Sequence, residues 1–126
     1  AQATQIQTFA FVGDLTFLYD LNSLTMVNSL ENPFKVIVVN NSGGGIFSFL
    51  PISQIQKEIF EKYFTTPHDF KFKDCGSFFG MKYFELNSVE DLKSALRYDG
   101  HCIMELKSDI DINVKLHREL TQKYLK

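Results

Sequence analysis

Phe34–Pro51 reads FKVIVVNNSGGGIFSFLP. Its first part, Phe34–Asn40, contains Val36–Val39, an unbroken β-branched run that does not alternate with polar residues. A strand apolar on both sides is covered on both faces, the condition met inside the parallel sheet of an α/β domain. Three consecutive glycines, Gly43–Gly45, then exclude a comfortable strand or helix interior. The segment is therefore a buried strand followed by a loop at its carboxyl end, closed by Pro51.

Upstream, Thr8–Val12 (TFAFV) is a short aromatic and β-branched strand that stops at Gly13–Asp14. From Phe17, apolar residues at Leu21, Leu24, Val27 and Leu30 predict a helix capped by Thr16 and ended by Asn32–Pro33. Strand, helix, strand over residues 8–40 implies a parallel pair. Downstream, Ile55, Ile59 and Tyr63 predict a helix over Gln54–Tyr63. An exposed loop follows at TTPHDFKFKD, and a helix beginning near Phe72 ends in Cys75–Gly80. Lys82–Leu86 and Cys102–Leu106 are two more strands. Ser88, with Asp91 three residues on, caps a helix between them. Leu116, Leu120 and Tyr124 mark a terminal helix. The fold class is α/β: a three-layer, mostly parallel sheet with helices on both faces.

With 126 residues the chain holds one domain. Its net charge of −2 argues against a strongly basic nucleic-acid binder. Thirteen phenylalanines and no tryptophan supply the core aromatics. Cys75 and Cys102 form no CxxC pair, and with His68, His101 and His117 they make no zinc spacing, so a reducing, cytoplasmic setting is expected. No apolar run is long enough to span a membrane. The opening, AQATQIQTFAFVGD, lacks the basic and long apolar regions of a signal peptide. It starts with Ala and enters a strand almost at once, so residues are expected to be missing upstream.

The chemistry concentrates at two strand ends. A parallel pair brings Gly13–Asp14 and Asn40–Asn41 to one edge of the sheet, where open α/β sheets bind ligands. Asp14 offers a hard anionic oxygen, the Asn41 side chain a neutral one, and the Gly43 backbone another. Mg²⁺ takes such oxygens and shares substrate phosphates. The triple glycine matches neither GxGxxG nor GxxxxGK[ST], so a dinucleotide site and a P-loop are both poorly supported. Read separately, Gly-Asp after a strand is also ordinary turn chemistry.

VGDLTFLYDLN followed by VVNNSGGGIFSFLP resembles the thiamine-diphosphate enzyme family. Within it, the likeness is to the 2-succinyl-5-enolpyruvyl-6-hydroxy-3-cyclohexene-1-carboxylate synthase branch of menaquinone biosynthesis. TPHDFKF continues the likeness, which covers nearly the whole chain. Leu15 stands where the broad family has a third glycine, a departure that suits this branch.

The resemblance implies a C-terminal thiamine-diphosphate-binding domain, with thiamine diphosphate and Mg²⁺ as cofactors. Asp14, Asn41 and the Gly43 carbonyl match the metal ligands. Gly13, Leu15 and Gly44 lie along the cofactor, with Gly13 allowing the turn beside the diphosphate. Ile46 matches the apolar support under the bent cofactor, and Phe47 and Leu50 the substrate wall. Asp20 and Asn22 belong to the same family-like segment. Arg97 and Arg118 lie outside the motif loops and are not assigned as substrate clamps.

The implied substrates are 2-oxoglutarate, which is decarboxylated, and isochorismate, which receives the product. The activating glutamate is expected in a separate pyrimidine-binding domain of the same or a partner subunit, and the full-length protein is expected to be a homodimer or homotetramer. This chain alone is expected to be inactive. It should also expose apolar surface at Ile46, Phe47, Phe49 and Leu50. Two other readings stand beside this one: a different thiamine-diphosphate 2-oxo acid decarboxylase or ligase, and a non-catalytic diphosphate-binding module.

Overall fold

Val36–Val38 are buried in the second strand of a parallel sheet. The computed structural model describes residues 6–124, so the first five residues of the opening discussed above lie outside it. The elements are β1 (Thr8–Gly13), α1 (Asp14–Tyr19), β2 (Phe34–Asn40), α2 (Lys57–Phe60), α3 (Lys73–Phe78), β3 (Lys82–Glu85), α4 (Val89–Arg97), β4 (Cys102–Lys107) and α5 (Ile110–Tyr124). Two compact units contain them. The first is the chain through Asn40 with Phe70–Lys107; the second is Asn41–Asp69 with the stretch from Ser108 onward.

The first unit carries the sheet, in the order β1-β2-β4-β3 with every pair parallel. Side chains alternate across each strand and feed two cores. On one face Val36, Val38 and Ile103 pack with Phe17 of α1, Leu24, Val27, Phe72 and Phe79. On the other, Ile37, Cys102 and Met104 pack with Ala95 of α4 and Leu86. Helices thus cover both faces, as the unbroken apolar run of β2 requires.

The expected helix from Phe17 divides. It opens at Asp14, so Thr16 is inside it and Gly13 takes the cap position. After Asp20 the chain tightens into a 3₁₀ segment, Leu21–Ser29. The hydroxyls of Ser23, Thr25 and Ser29 donate to the carbonyls of Asp20, Asn22 and Met26 at 2.7–2.8 Å. Such bonds compete with the α-helical ladder. Leu21, Leu24 and Val27 recur every third residue, the 3₁₀ period, so they stack on one edge.

The Ser88–Asp91 cap forms. Ser88 Oγ accepts the Asp91 N–H at 3.1 Å, and Asp91 accepts from the Asn87 N–H and the Ser88 hydroxyl. Lys35, wholly buried in β2, donates from Nζ to the carbonyls of Ala95 and Leu96 at the end of α4. That places a cation where the helix dipole is negative.

In the second unit, Pro51–Gln54 forms a 3₁₀ turn, and α2 runs into a π-helical turn, Glu61–Thr65. The expected apolar face of Ile55, Ile59 and Tyr63 is exposed; Phe60 is buried instead and stacks on Phe64 at 5.8 Å. The α5 helix forms, but Leu116, Leu120 and Tyr124 are exposed and Val114 is buried. Among the described residues no helix is long and apolar enough to cross a membrane.

Candidate functional site

In the first unit, β1 ends beside β2, with Gly13 paired to Val39. Asp14 therefore leaves β1 level with Asn40. Asp14 is 2% exposed and opens α1, and its Oδ1 accepts the Leu15 N–H at 2.7 Å. Leu15 is half-buried and Asp20 and Asn22 are exposed. Gly13 has φ −77°, which any residue adopts, so the turn does not demand glycine. What glycine provides is space: a Cβ there would meet no atom within 4 Å.

The same sheet edge holds a polar group that no sequence motif announces. Glu105 of β4 is 3% exposed. Its Oε1 accepts from Asn40 Nδ2 at 2.5 Å and its Oε2 accepts from the Tyr83 hydroxyl. Burial first, then the bond to Glu105 and the charges of Glu105 and Glu85, push the Tyr83 phenol far above its ordinary range, so it remains a donor. A glutamate in an otherwise apolar strand, CIMEL, was the available signal.

In the second unit, the loop after β2 turns through two left-handed residues, Ser42 at φ 62° and Gly43 at φ 149°. The His68 N–H donates to the Ser42 carbonyl at 3.2 Å and the Gly44 N–H to the Thr65 carbonyl at 2.5 Å. A Cβ on Gly43 would collide with the Thr65 carbonyl oxygen, so glycine is required there. Gly45 lies against Asn41 Nδ2 and Ile110.

Asn41, Gly43, Gly44 and Gly45 line a cleft of about 510 Å³ within this unit. Ser48, Lys57 and Arg118 line it too. Arg118 thus belongs to the loop's surroundings although it lies far along the chain. Its spacing from Ile110, Asp111 and Val114 along α5 was the signal, because residues four, seven and eight apart share a helix face. Ile46, Phe47, Phe49 and Leu50 are exposed, as expected. Phe47 meets Phe64 edge-on at 5.7 Å and Phe49 meets His117 at 5.3 Å. Cys75 and Cys102 are free thiols, and burial pushes both up. Among the described residues no three His, Cys, Asp or Glu side chains gather into a metal-binding group.

The family profile described as "Thiamine pyrophosphate enzyme, C-terminal TPP binding domain" matches residues 1–101. A 2-succinyl-5-enolpyruvyl-6-hydroxy-3-cyclohexene-1-carboxylate synthase of Chlorobium phaeovibrioides is 45% identical over 113 residues, covering 86% of this chain and 19% of that protein. The synthase of the same name from Chlorobium phaeobacteroides is 36% identical over 126 residues, 97% of this chain and 22% of its own. One from Rubrobacter xylanophilus is 42% identical over 115 residues, with 86% and 19% covered. The chain spans about a fifth of the length of these curated relatives. Among solved structures, a thiamine diphosphate-dependent 4-hydroxybenzoylformate decarboxylase of Rhodococcus jostii RHA1 superposes with a TM-score of 0.65 at 20% identity, over 82% of this chain and 20% of that one, a likeness of fold. With a parallel sheet, a glycine turn after its second strand and a profile match across most of its length, the chain belongs to the thiamine pyrophosphate enzymes, as their C-terminal cofactor-binding domain.

Proposed function

We propose that this chain is the Mg²⁺- and diphosphate-binding domain of a longer, cytoplasmic 2-succinyl-5-enolpyruvyl-6-hydroxy-3-cyclohexene-1-carboxylate synthase. The whole enzyme decarboxylates 2-oxoglutarate and adds the product to isochorismate. The observation that carries the reading is the turn Asn41–Gly45, with Gly43 held left-handed against Thr65, in a chain up to 45% identical to synthases of that name.

The donor chemistry fits the cation. Asp14 contributes a buried carboxylate, Asn41 an amide oxygen and Gly43 a carbonyl. All are hard oxygens, and a single carboxylate leaves charge on Mg²⁺ for a diphosphate. The space left by Gly13 supports a cofactor beside Asp14. Bound thiamine diphosphate supplies the nucleophilic carbon and electron sink for decarboxylating a 2-oxo acid. The chain's own part is to hold and orient: Gly13, Leu15 and Gly44 along the cofactor, Ile46 beneath it, and Phe47 and Leu50 as an apolar wall that excludes water. The activating glutamate belongs to a pyrimidine-binding domain of the same or a partner subunit, in a homodimer or homotetramer.

The test is the full-length protein with cofactor, Mg²⁺, 2-oxoglutarate and isochorismate. Carbon dioxide release with formation of the carboxylate adduct is expected, and Asp14→Ala should lower turnover by about 100-fold or more, since a direct ligand matters at least as much as the outer partners whose loss costs about 10–100-fold. Preference for another 2-oxo acid would replace the synthase by a different decarboxylase or ligase. Tight diphosphate binding by a native chain of only this length, without turnover, would replace it by a binding module.

A further inference from the structure

Glu105 presents an unusual combination. It is a buried carboxylate in the interior strand β4, and it accepts from two neutral donors, the Asn40 amide and the Tyr83 hydroxyl. Val38 pairs with Glu105, and Tyr83 with Ile103. With side chains alternating, Asn40, Glu105 and Tyr83 project from one face of three adjacent strands. An ionised carboxylate only accepts, so it takes the NH₂ end of Asn40 and fixes that amide's orientation. Asn40 is the last residue of β2, and the chain after it enters the left-handed Ser42–Gly43 turn. Backbone held in such regions persists only where its surroundings over-determine it. Within the second unit His68 and Thr65 restrain the turn; within the first, Glu105 restrains the strand that feeds it.

We propose that Glu105 is a positioning residue for cation binding: by clamping Asn40, it sets the backbone from which Asn41 and Gly43 present their oxygens to Mg²⁺. The inference rests on the assignment of Asn41 and Gly43 as magnesium ligands given above. Tyr83 holds the second oxygen of the same carboxylate and belongs to β3, which β4 separates from β2. It therefore supports the clamp without being its output.

The experiment is calorimetric titration of Mg²⁺ into the full-length protein saturated with thiamine diphosphate, alongside thermal melting. Glu105→Gln keeps size but turns the acceptor-only group into an amide. Its Mg²⁺ Kd should rise about tenfold, the scale on which lost outer partners weaken metal sites. Tyr83→Phe should lower the melting temperature by a similar amount and change the Kd less than twofold. Asn40→Ala cuts the same clamp from its other end and should match Glu105→Gln, which covers the case in which the glutamate variant fails to fold. An unchanged Kd in both clamp variants overturns the proposal. So does a Kd that tracks melting temperature across all three, since that is a purely structural role. Asp14→Ala and Asn41→Ala serve as reference. If neither weakens Mg²⁺ binding, the ligand assignment itself fails and takes the clamp with it; if both do while the clamp variants do not, the clamp alone fails.

Discussion

Gly43 is the residue on which the loop depends. Its φ of 149° and the closeness of the Thr65 carbonyl leave no room for a side chain. Gly43→Ala should destabilise the protein by about 2 kcal/mol or more, from backbone strain together with the collision. Differential scanning calorimetry of the full-length protein checks this, and a change under 0.5 kcal/mol would show that the turn relaxes. Gly13→Ala is the contrast, because its backbone is ordinary and its surroundings are open. That variant should melt normally while binding the cofactor less well. The two glycines look alike in sequence, yet one serves the chain's conformation and the other the space beside it.

At the scale of elements, α4 shows a cap readable from composition and spacing. Ser88→Ala should cost about 1 kcal/mol, as loss of a helix cap does. The bond from the Ser88 hydroxyl, and then that from the Asn87 N–H, hold the Asp91 carboxyl below its ordinary value. A carboxyl depressed on folding stabilises the fold above its unfolded value and loses that contribution as pH falls through the folded one. The contribution of Asp91 is thus present above about pH 4 and lost in stronger acid. In Asp91→Asn that part of the acid dependence should disappear from pH-resolved melting curves.

The four strands of the described residues are legible, because β-branched and aromatic runs bounded by Gly, Pro and Asn leave few alternatives. The helices are less so. After Asp20 a period of 3.6 predicts an α-helix, but Leu21, Leu24 and Val27 recur at three, and the Ser and Thr hydroxyls favour the tighter turn. On α5 the buried residue is Val114, not Leu116, and Arg118, exposed but lining the cleft, lies four residues from it. Asp14 and the glycine turn were found from strand ends alone. The Asn40–Glu105–Tyr83 group was not, since it depends on strand order β2-β4-β3, and sequence order does not reveal that β4 lies between the other two.

For the molecule as a whole, surface matters as much as core. β1 is an edge of the sheet and carries Phe9 and Phe11, the latter 73% exposed. Separately, the second unit exposes Ile46, Phe49 and Leu50. Open edges with apolar faces invite pairing with other chains, and apolar patches invite association. The 126-residue polypeptide in isolation should self-associate with rising concentration, and Phe11→Lys should reduce this. Sedimentation velocity across a concentration series checks it; a monomer at every concentration would show that the edge is adequately protected.

The chain departs from the sheet unit twice, after Asn40 and after Lys107, and these two residues are partners on the same rung of the β2–β4 ladder. Across both departures the described strands β1, β2, β4 and β3 stay in one sheet. The rung therefore works as a graft junction. Length changes further along those two segments leave the β2–β4 pairing intact, whereas Asn41 and Gly43, directly beyond the rung, must stay for the proposed cation site.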